Sequence, residues 1–179
     1  MKLRTFKLIP FSADHLPEID ITGEVIYGGN KLFLHYEVNG EIDQILLSSK
    51  ASSPSRTEDL WRTTCFEFFL AVPDRPEYWE FNLSPSGDWN AYKMDAYRSV
   101  GFCEETAFTK LPFVLRKTGN KLSIDISVDL SSILPTNQPV QVGISAIIQT
   151  VDGSESYWAL THPGTQADFH LRESFILTM

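Results

Sequence analysis

Cysteine, basic residues and long apolar runs are all scarce in this sequence. Cys65 and Cys103 are the only cysteines, and without an export signal we expect free thiols rather than a disulfide. Lys7, Pro10 and Asp14 interrupt the N-terminal stretch before a signal-peptide core could form. Lysine and arginine number 15 against 23 acidic residues, and the net charge of −8 argues against nucleic-acid or anionic-membrane partners. No apolar run is long enough to span a bilayer. We therefore expect a cytoplasmic protein.

Motifs of the common enzyme classes are also absent. The sequence contains no nucleophile elbow, P-loop, zinc-protease or dinucleotide-binding fingerprint, and no CxxC or paired histidine pattern. Glu67 and Glu80 could act as an acid–base pair for glycoside cleavage, but two carboxylates on one sheet are common. We therefore expect neither enzymatic activity nor a metal site.

What the sequence does contain is a series of strand patterns separated by turn residues. Residues 122–130 alternate apolar and polar, as in a strand buried on one side. Glycines next to Asn or Asp at 28–30, 39–40, 119–120 and 152–153 predict hairpins, because these residues tolerate the positive φ of tight turns. No long stretch has helical periodicity. We expect one domain over residues 1–179, an all-β, two-sheet antiparallel β-sandwich with jelly-roll-like packing and about ten strands.

Two neighbouring strands carry the strongest candidates for binding. In residues 65–72 the apolar stripe leaves Glu67 on the opposite face of the strand, and in residues 78–84 the same alternation places Glu80 and Asn82 there. A hairpin between the strands makes them neighbours, so these three polar groups are predicted to share one face of the sheet.

The flanking segments are less clear-cut. Residues 88–98 read as a third strand with mixed faces, and residues 42–47 read as a further strand. Residues 48–59 are rich in Ser and Pro, which predicts a mobile loop. We expect Trp61 to belong to the core. A second group of aromatic and polar residues, including Trp158, surrounds a loop at a strand end.

The central part of the chain resembles the DOMON and family-9 carbohydrate-binding-module superfamily. In that superfamily a strand with a VE-F-F type motif precedes a strand that ends in an N-x-x-P-x-G type turn. The matching blocks here are CFEFFL at 65–70 and YWEFNLSPSG at 78–87. Residues 60–65, 156–160 and 168–170 are similar to bacterial DOMON-like proteins of unassigned activity. The resemblance spans residues 60–177 and implies a β-sandwich that binds ligands on a concave sheet face or at its rim.

The resemblance implies a non-catalytic module that binds a small saccharide or a similar polar ligand. In sugar-binding members aromatic rings stack on pyranose faces, while carboxylates and amides bind the hydroxyl groups. By position Glu67 matches the strand glutamate of the family, and Asn82 matches the asparagine beside the turn. The full set of candidate ligand-binding residues is Arg62, Glu67, Glu80, Asn82, Trp89, Tyr92, Trp158, His162 and His170. Trp89 and Trp158 are the predicted stacking surfaces, and Arg62 is the predicted anchor for a carboxylate or a ligand.

Two alternatives stay open beside carbohydrate binding, which needs no cofactor. Haem-binding members ligate iron with a Met and a His, for which this sequence offers Met94 with His162 or His170. An acidic, aromatic sandwich that binds a protein partner and no small ligand would have a similar sequence. Composition and motifs leave the oligomeric state open.

Overall fold

The chain forms a sandwich of two antiparallel sheets in the computed structural model, which describes residues 1–14, 16–98 and 103–179. Its strands are β1 (Lys2–Lys7), β2 (Ile9–Pro10), β3 (Ile19–Gly28), β4 (Lys31–Gly40), β5 (Cys65–Ala71), β6 (Tyr78–Leu83), β7 (Trp89–Met94), β8 (Cys103–Glu104), β9 (Phe113–Thr118), β10 (Lys121–Asp129), β11 (Gln141–Gln149), β12 (Glu155–Ala159) and β13 (Leu177–Thr178). Single 3-10 turns lie at Ile42–Gln44, Leu60–Arg62 and Arg172–Ser174, and the described residues contain no α-helix. The predicted all-β sandwich is confirmed.

The two sheets differ in width. The smaller has five strands in the order β1-β3-β4-β10-β9, and the larger has eight, β2-β12-β11-β5-β6-β7-β8 with β13 also pairing with β11. The described residues thus hold thirteen strands rather than about ten. The surplus is β2, β8 and β13, each of two residues, which are too short to leave a pattern in the sequence.

The core lies between the sheets and is built by strict alternation. The inner positions of β4 and β10 are buried apolar residues that face the inner stripe of β5 and β6. The rings of Phe68 and Phe81 stack there with their centroids 4.5 Å apart. The Tyr36 hydroxyl crosses the core and donates a hydrogen bond of 2.6 Å to the carbonyl of Glu67. This core therefore fixes which face of β5 and β6 remains outside.

Two of the predicted turns illustrate what the pattern captures and what it misses. Gly29 and Asn30 both have positive φ and close the β3–β4 hairpin, as predicted. Asn39 and Gly40, in contrast, lead into a 3-10 turn, and the predicted strand over 42–47 is wrong. Ile42 and Ile45 are both buried, a spacing of three that suits a 3-10 turn rather than a strand.

Two further expectations concern thiols and membranes. Cys65 is buried, Cys103 is exposed, and both are free thiols, as predicted. Across the described parts of the chain, none of the helices has the length and apolar character that crossing a bilayer requires.

Candidate ligand-binding site

A pocket of about 700 Å³ opens on the outer face of the eight-stranded sheet. Outward-facing residues of β5, β6, β7, β11 and β12 line it, together with residues 58–61 on one side and 167–170 on the other. The lining combines carboxyl groups with aromatic side chains, of which Trp61 is the most exposed at 47%. A volume of this size is typical of pockets for small ligands.

The turn between β6 and β7 sets the register of the pocket floor. Gly87 has φ 97°, and its N–H donates to the carbonyl of Ser84 at 2.9 Å. The hydroxyl of Ser86 donates to Asp88 at 2.9 Å, which holds the tight turn together. Leu83 therefore pairs with Trp89, and one step along Asn82 pairs with Asn90 on the outer face.

Glu67 and Glu80 are the central groups of the pocket. They are only 3% and 6% exposed, and both line the cavity. Burial raises the pKa of Glu67 well above its ordinary value, and the neighbouring charge of Glu80 raises it further. Burial likewise raises the pKa of Glu80 to about 7. Burial therefore favours the protonated form of Glu67, while Glu80 populates both its protonated and its ionised form near neutral pH.

The partners of these acids within the described residues are neutral. Ser145 donates a hydrogen bond to Glu67 Oε2 at 3.4 Å, and Asn82 Nδ2 donates to Glu80 Oε1 at 2.9 Å. His170 Nε2 lies 3.9 Å from Glu80 Oε2. Burial and then the charge of Arg98 lower the pKa of His170 to about 4, so this contact is not an ion pair at neutral pH. Among the described residues neither carboxyl group thus forms a direct ion pair at neutral pH, although the hydrogen bond from Asn82 and then the charge of Arg98 partly offset the effect of burial on the pKa of Glu80.

Asn82 joins the two acids on this face. It pairs directly with Glu67 across the strands and is bonded to Glu80 two positions along its own strand. Asn82 is 1% exposed, and among the described residues its Oδ1 atom accepts no hydrogen bond. A buried acceptor without a donor costs about 1–3 kcal/mol, so this atom marks a place where a ligand can contribute.

Two strained residues stand at the pocket rim. Asp59 has φ 58° and Arg98 has φ 42°, which lie in a backbone region that residues other than glycine seldom adopt. Arg98 forms an ion pair with Asp168 at 3.1 Å. Asp168 also accepts a hydrogen bond of 2.6 Å from the Tyr97 hydroxyl. Asp168 is therefore the ion-pair partner of the only arginine in the described lining.

The sequence-predicted residues divide between pocket and core. Glu67, Glu80, Tyr92 and His170 line the pocket, and Asn82 lies beside them on the same face. Trp89 and Trp158, the predicted stacking surfaces, are instead buried between the sheets, so that placement was wrong. Trp89 pairs with inward-facing Leu83, and Trp158 pairs with inward-facing Ala146. Both faces of these strands carry a mixture of polar and aromatic residues, so the sequence pattern did not indicate which face points into the core.

Three other residues lie where the pattern did not place them. Trp61, predicted as core, is exposed at the pocket, because the 3-10 turn buries its neighbour Leu60 instead. Arg62 lies outside the pocket lining, forms an ion pair with Asp59 at 2.8 Å, and its guanidinium carbon lies 4.9 Å from the Trp61 ring centre. His162 also lies outside the lining, with Nε2 2.9 Å from the carbonyl of Ile9.

Sequence reasoning missed several residues of the site. Tyr157 and Phe169 supply aromatic surface to the pocket, and Arg98 supplies its rim. Tyr157 precedes the predicted Trp158, so assigning the opposite face of this strand to the pocket would have identified it. Arg56, in the predicted mobile loop, hydrogen-bonds to Asn90 at 2.7 Å and to three backbone carbonyls, which anchors that loop to β7.

The arrangement of the described residues does not favour a metal ion or haem. Within the described residues, no group of three or more His, Cys, Asp or Glu is arranged to hold a metal ion. Met94 and His170 both line the pocket, but His170 Nδ1 is engaged with the Tyr78 hydroxyl at 2.9 Å and Nε2 faces Glu80. Haem also carries two anionic propionates, and the described lining offers only the already paired Arg98. These residues do not fit haem.

Comparisons with known proteins support the fold. No family model matches the chain, and no curated protein matches it. A proposed carbohydrate-binding protein from Bacteroides uniformis superimposes with a TM-score of 0.72 over 96% of this chain and 84% of its own, at 13% identity. A family-9 carbohydrate-binding module from Caldicellulosiruptor kristjanssonii, solved with cellotriose, superimposes with a TM-score of 0.55 over 91% of this chain and 75% of its own, at 10% identity. The chain thus has a fold like that of carbohydrate-binding modules.

Proposed function

We propose that this protein binds a saccharide in the pocket on the outer face of the eight-stranded sheet. The observation that carries the proposal is the composition of that pocket, in which buried hydrogen-bonding groups lie beside aromatic rings. Rings such as Trp61 present apolar faces to the C–H faces of a pyranose. A binding site for sugars needs both features, because a pyranose has apolar faces and a polar edge.

The protonation of the acids suits hydroxyl ligands. A protonated carboxyl group both donates and accepts hydrogen bonds, as a hydroxyl group does. Burial shifts both Glu67 and Glu80 towards this form, and Asn82 Oδ1 adds an acceptor. The fold likeness to a module solved with cellotriose supports the same ligand class, and a DOMON-like relationship is part of the proposal.

We propose binding rather than turnover. Glycoside cleavage requires one protonated and one ionised carboxyl group in most families. Here burial disfavours ionisation of both Glu67 and Glu80, and among the described residues neither has a direct ion-pair partner at neutral pH that would hold it ionised as a nucleophile.

Calorimetric titration with a panel of neutral and amino oligosaccharides tests the proposal. At least one series should bind the wild-type protein. Trp61→Ala should weaken that binding about five- to tenfold, because an aromatic contact contributes on the order of 1 kcal/mol. Trp61→Phe should restore part of the affinity.

Phe33→Ala is the matched control, since Phe33 is 40% exposed on the outer face of the other sheet. It should leave affinity unchanged. Failure of every oligosaccharide to bind, or equal losses in the Trp61 and Phe33 variants, would contradict the proposed site.

A further inference from the structure

The floor of the pocket offers an unusual set of hydrogen-bond acceptors. Glu67, Glu80 and Asn82 are neighbours on one face, since Asn82 pairs with Glu67 across the strands and donates to Glu80 along its own strand. The ionised carboxylates would be acceptors only, and Asn82 Oδ1 is a third acceptor that receives no hydrogen bond within the described part of the chain.

A primary ammonium group matches this set better than a hydroxyl group does. An ammonium carries three N–H donors and no acceptor, whereas a hydroxyl carries one donor. It also brings a positive charge into direct contact with a buried carboxyl pair that forms no direct ion pair among the described residues at neutral pH. Opposite charge at short range favours the ionised form of both acids and offsets the cost of their burial.

The rest of the pocket favours a cation in the same way. Glu58 and Asp59 add two acids to the lining, of which Asp59 is paired with Arg62, while Arg98 is paired with Asp168. The rings of Trp61 and Tyr157 also line the cavity, and aromatic faces attract ammonium groups. An anionic sugar, such as a uronic acid, would meet repulsion in this pocket.

Resting on the proposed function, we infer that the preferred ligand is an amino sugar whose free ammonium group sits between Glu67 and Glu80. The ammonium donates to the two carboxylates and to Asn82 Oδ1. The pyranose ring extends from there towards the aromatic residues at the mouth. Acetylation of the amine removes the charge and two of the three donors, and therefore weakens binding.

Three trisaccharides with the same β-1,4 linkage separate this inference from the proposed function. The trimer of glucosamine, its fully N-acetylated counterpart and cellotriose differ only at C2, where they carry ammonium, acetamide and hydroxyl. Titration calorimetry of the wild-type protein at pH 6.5 should show the glucosamine trimer binding at least about tenfold more tightly than the other two, because hydrogen bonds to charged groups contribute about 1.5–3 kcal/mol.

Charge-removing variants locate the effect. Glu67→Gln and Glu80→Gln should each bring the ratio of glucosamine-trimer affinity to cellotriose affinity most of the way to one. Glu24→Gln, on the outer face of the five-stranded sheet, should keep the full preference. A thermal melt of each variant confirms that it is folded.

The possible results have distinct meanings. If cellotriose or the acetylated trimer binds as tightly as the amine, or if the Glu80 variant keeps the preference, the amino-sugar inference is overturned and saccharide binding stands. If none of the three trisaccharides binds and the wider oligosaccharide panel also fails, both ideas fall.

Discussion

The outer faces of the two sheets both carry acids, but the acids are exposed and paired with cations on one face and buried with neutral hydrogen-bond partners on the other. On the five-stranded sheet Glu37 accepts from Asn39 and Lys121, and these hydrogen bonds lower its pKa to about 2. Burial raises the pKa of Asp125 there, but hydrogen bonds from His35 and Arg116 outweigh it and lower the pKa overall. Charge on this face is exposed and balanced.

On the eight-stranded sheet Glu67 and Glu80 are buried, and within the described chain their hydrogen-bond partners are neutral. Glu67 and Glu80 accept from Ser145 and Asn82, and burial raises both pKa values. Such an arrangement costs stability, and folds tolerate that cost mainly where a ligand contributes the missing interaction. Burial without a directly paired counter-ion, rather than the number of acids, distinguishes the proposed binding face from the outer face of the five-stranded sheet.

The largest expected effect on stability comes from removing one arginine from each sheet. Arg56 donates to Asn90 and to the carbonyls of Ala91, Glu105 and Phe108, and stacks over Trp89 with 4.4 Å to the ring centre. Arg56→Ala should lower the free energy of unfolding by about 3 kcal/mol, because several acceptors lose their donor at once. Urea denaturation measures the loss.

Arg116→Ala, which breaks the exposed pair with Asp125 on the five-stranded sheet, is the matched control. It should cost less than about 1 kcal/mol, as exposed ion pairs do. Equal losses in the two variants would remove the contrast between the faces.

A smaller effect follows from the pKa of Glu80. Because the folded-state pKa of about 7 exceeds the ordinary 4.5, the folded protein binds more protons between these values, and stability falls as pH rises through this window. Relative to the wild type, Glu80→Gln should therefore gain roughly 2 kcal/mol between pH 5 and pH 7. Denaturation curves at both pH values give the difference.

Denaturation curves of Glu37→Gln should show a pH-dependent change in stability of the opposite sign, between about pH 2 and pH 4.5. The pKa of Glu37 is lowered, so its contribution is present above pH 4.5 and is lost as pH falls towards 2. A Glu80 variant whose stability tracks the wild type at every pH would show that Glu80 is ionised throughout.

The smallest effect tests the neutral partner of Glu67. Ser145→Ala removes the hydroxyl that donates at 3.4 Å, and should cost about 1 kcal/mol. Ser127→Ala, exposed on the other sheet, should change the unfolding free energy by less than about 0.5 kcal/mol. Thermal melts of both variants resolve the difference, and a harmless Ser145 variant would mean that this hydrogen bond contributes little.

Alternation along the chain was enough to predict the shared face of Glu67, Glu80 and Asn82, because strict apolar stripes leave only one parity for β5 and β6. It failed for Trp89, where both faces of the strand are mixed and only the turn at Ser84–Gly87 sets the register. Long-range contacts such as Tyr78 with His170, 92 residues apart, leave no local pattern in a sequence. The floor of the pocket was therefore predictable, while its rim was not.

The ends of the two sheets have a consequence for the behaviour of the protein at high concentration. A wide sheet exposes unpaired backbone groups along its margins, where a second molecule can add its own strand and start a fibril. The larger sheet finishes in β2 and β8, which offer two residues each, and the smaller finishes in β1 and β9, which carry Lys2, Arg4, Arg116 and Lys117. Short edge strands on one sheet and charged edge side chains on the other discourage such growth, so a chain this rich in strands should stay dispersed when it is concentrated.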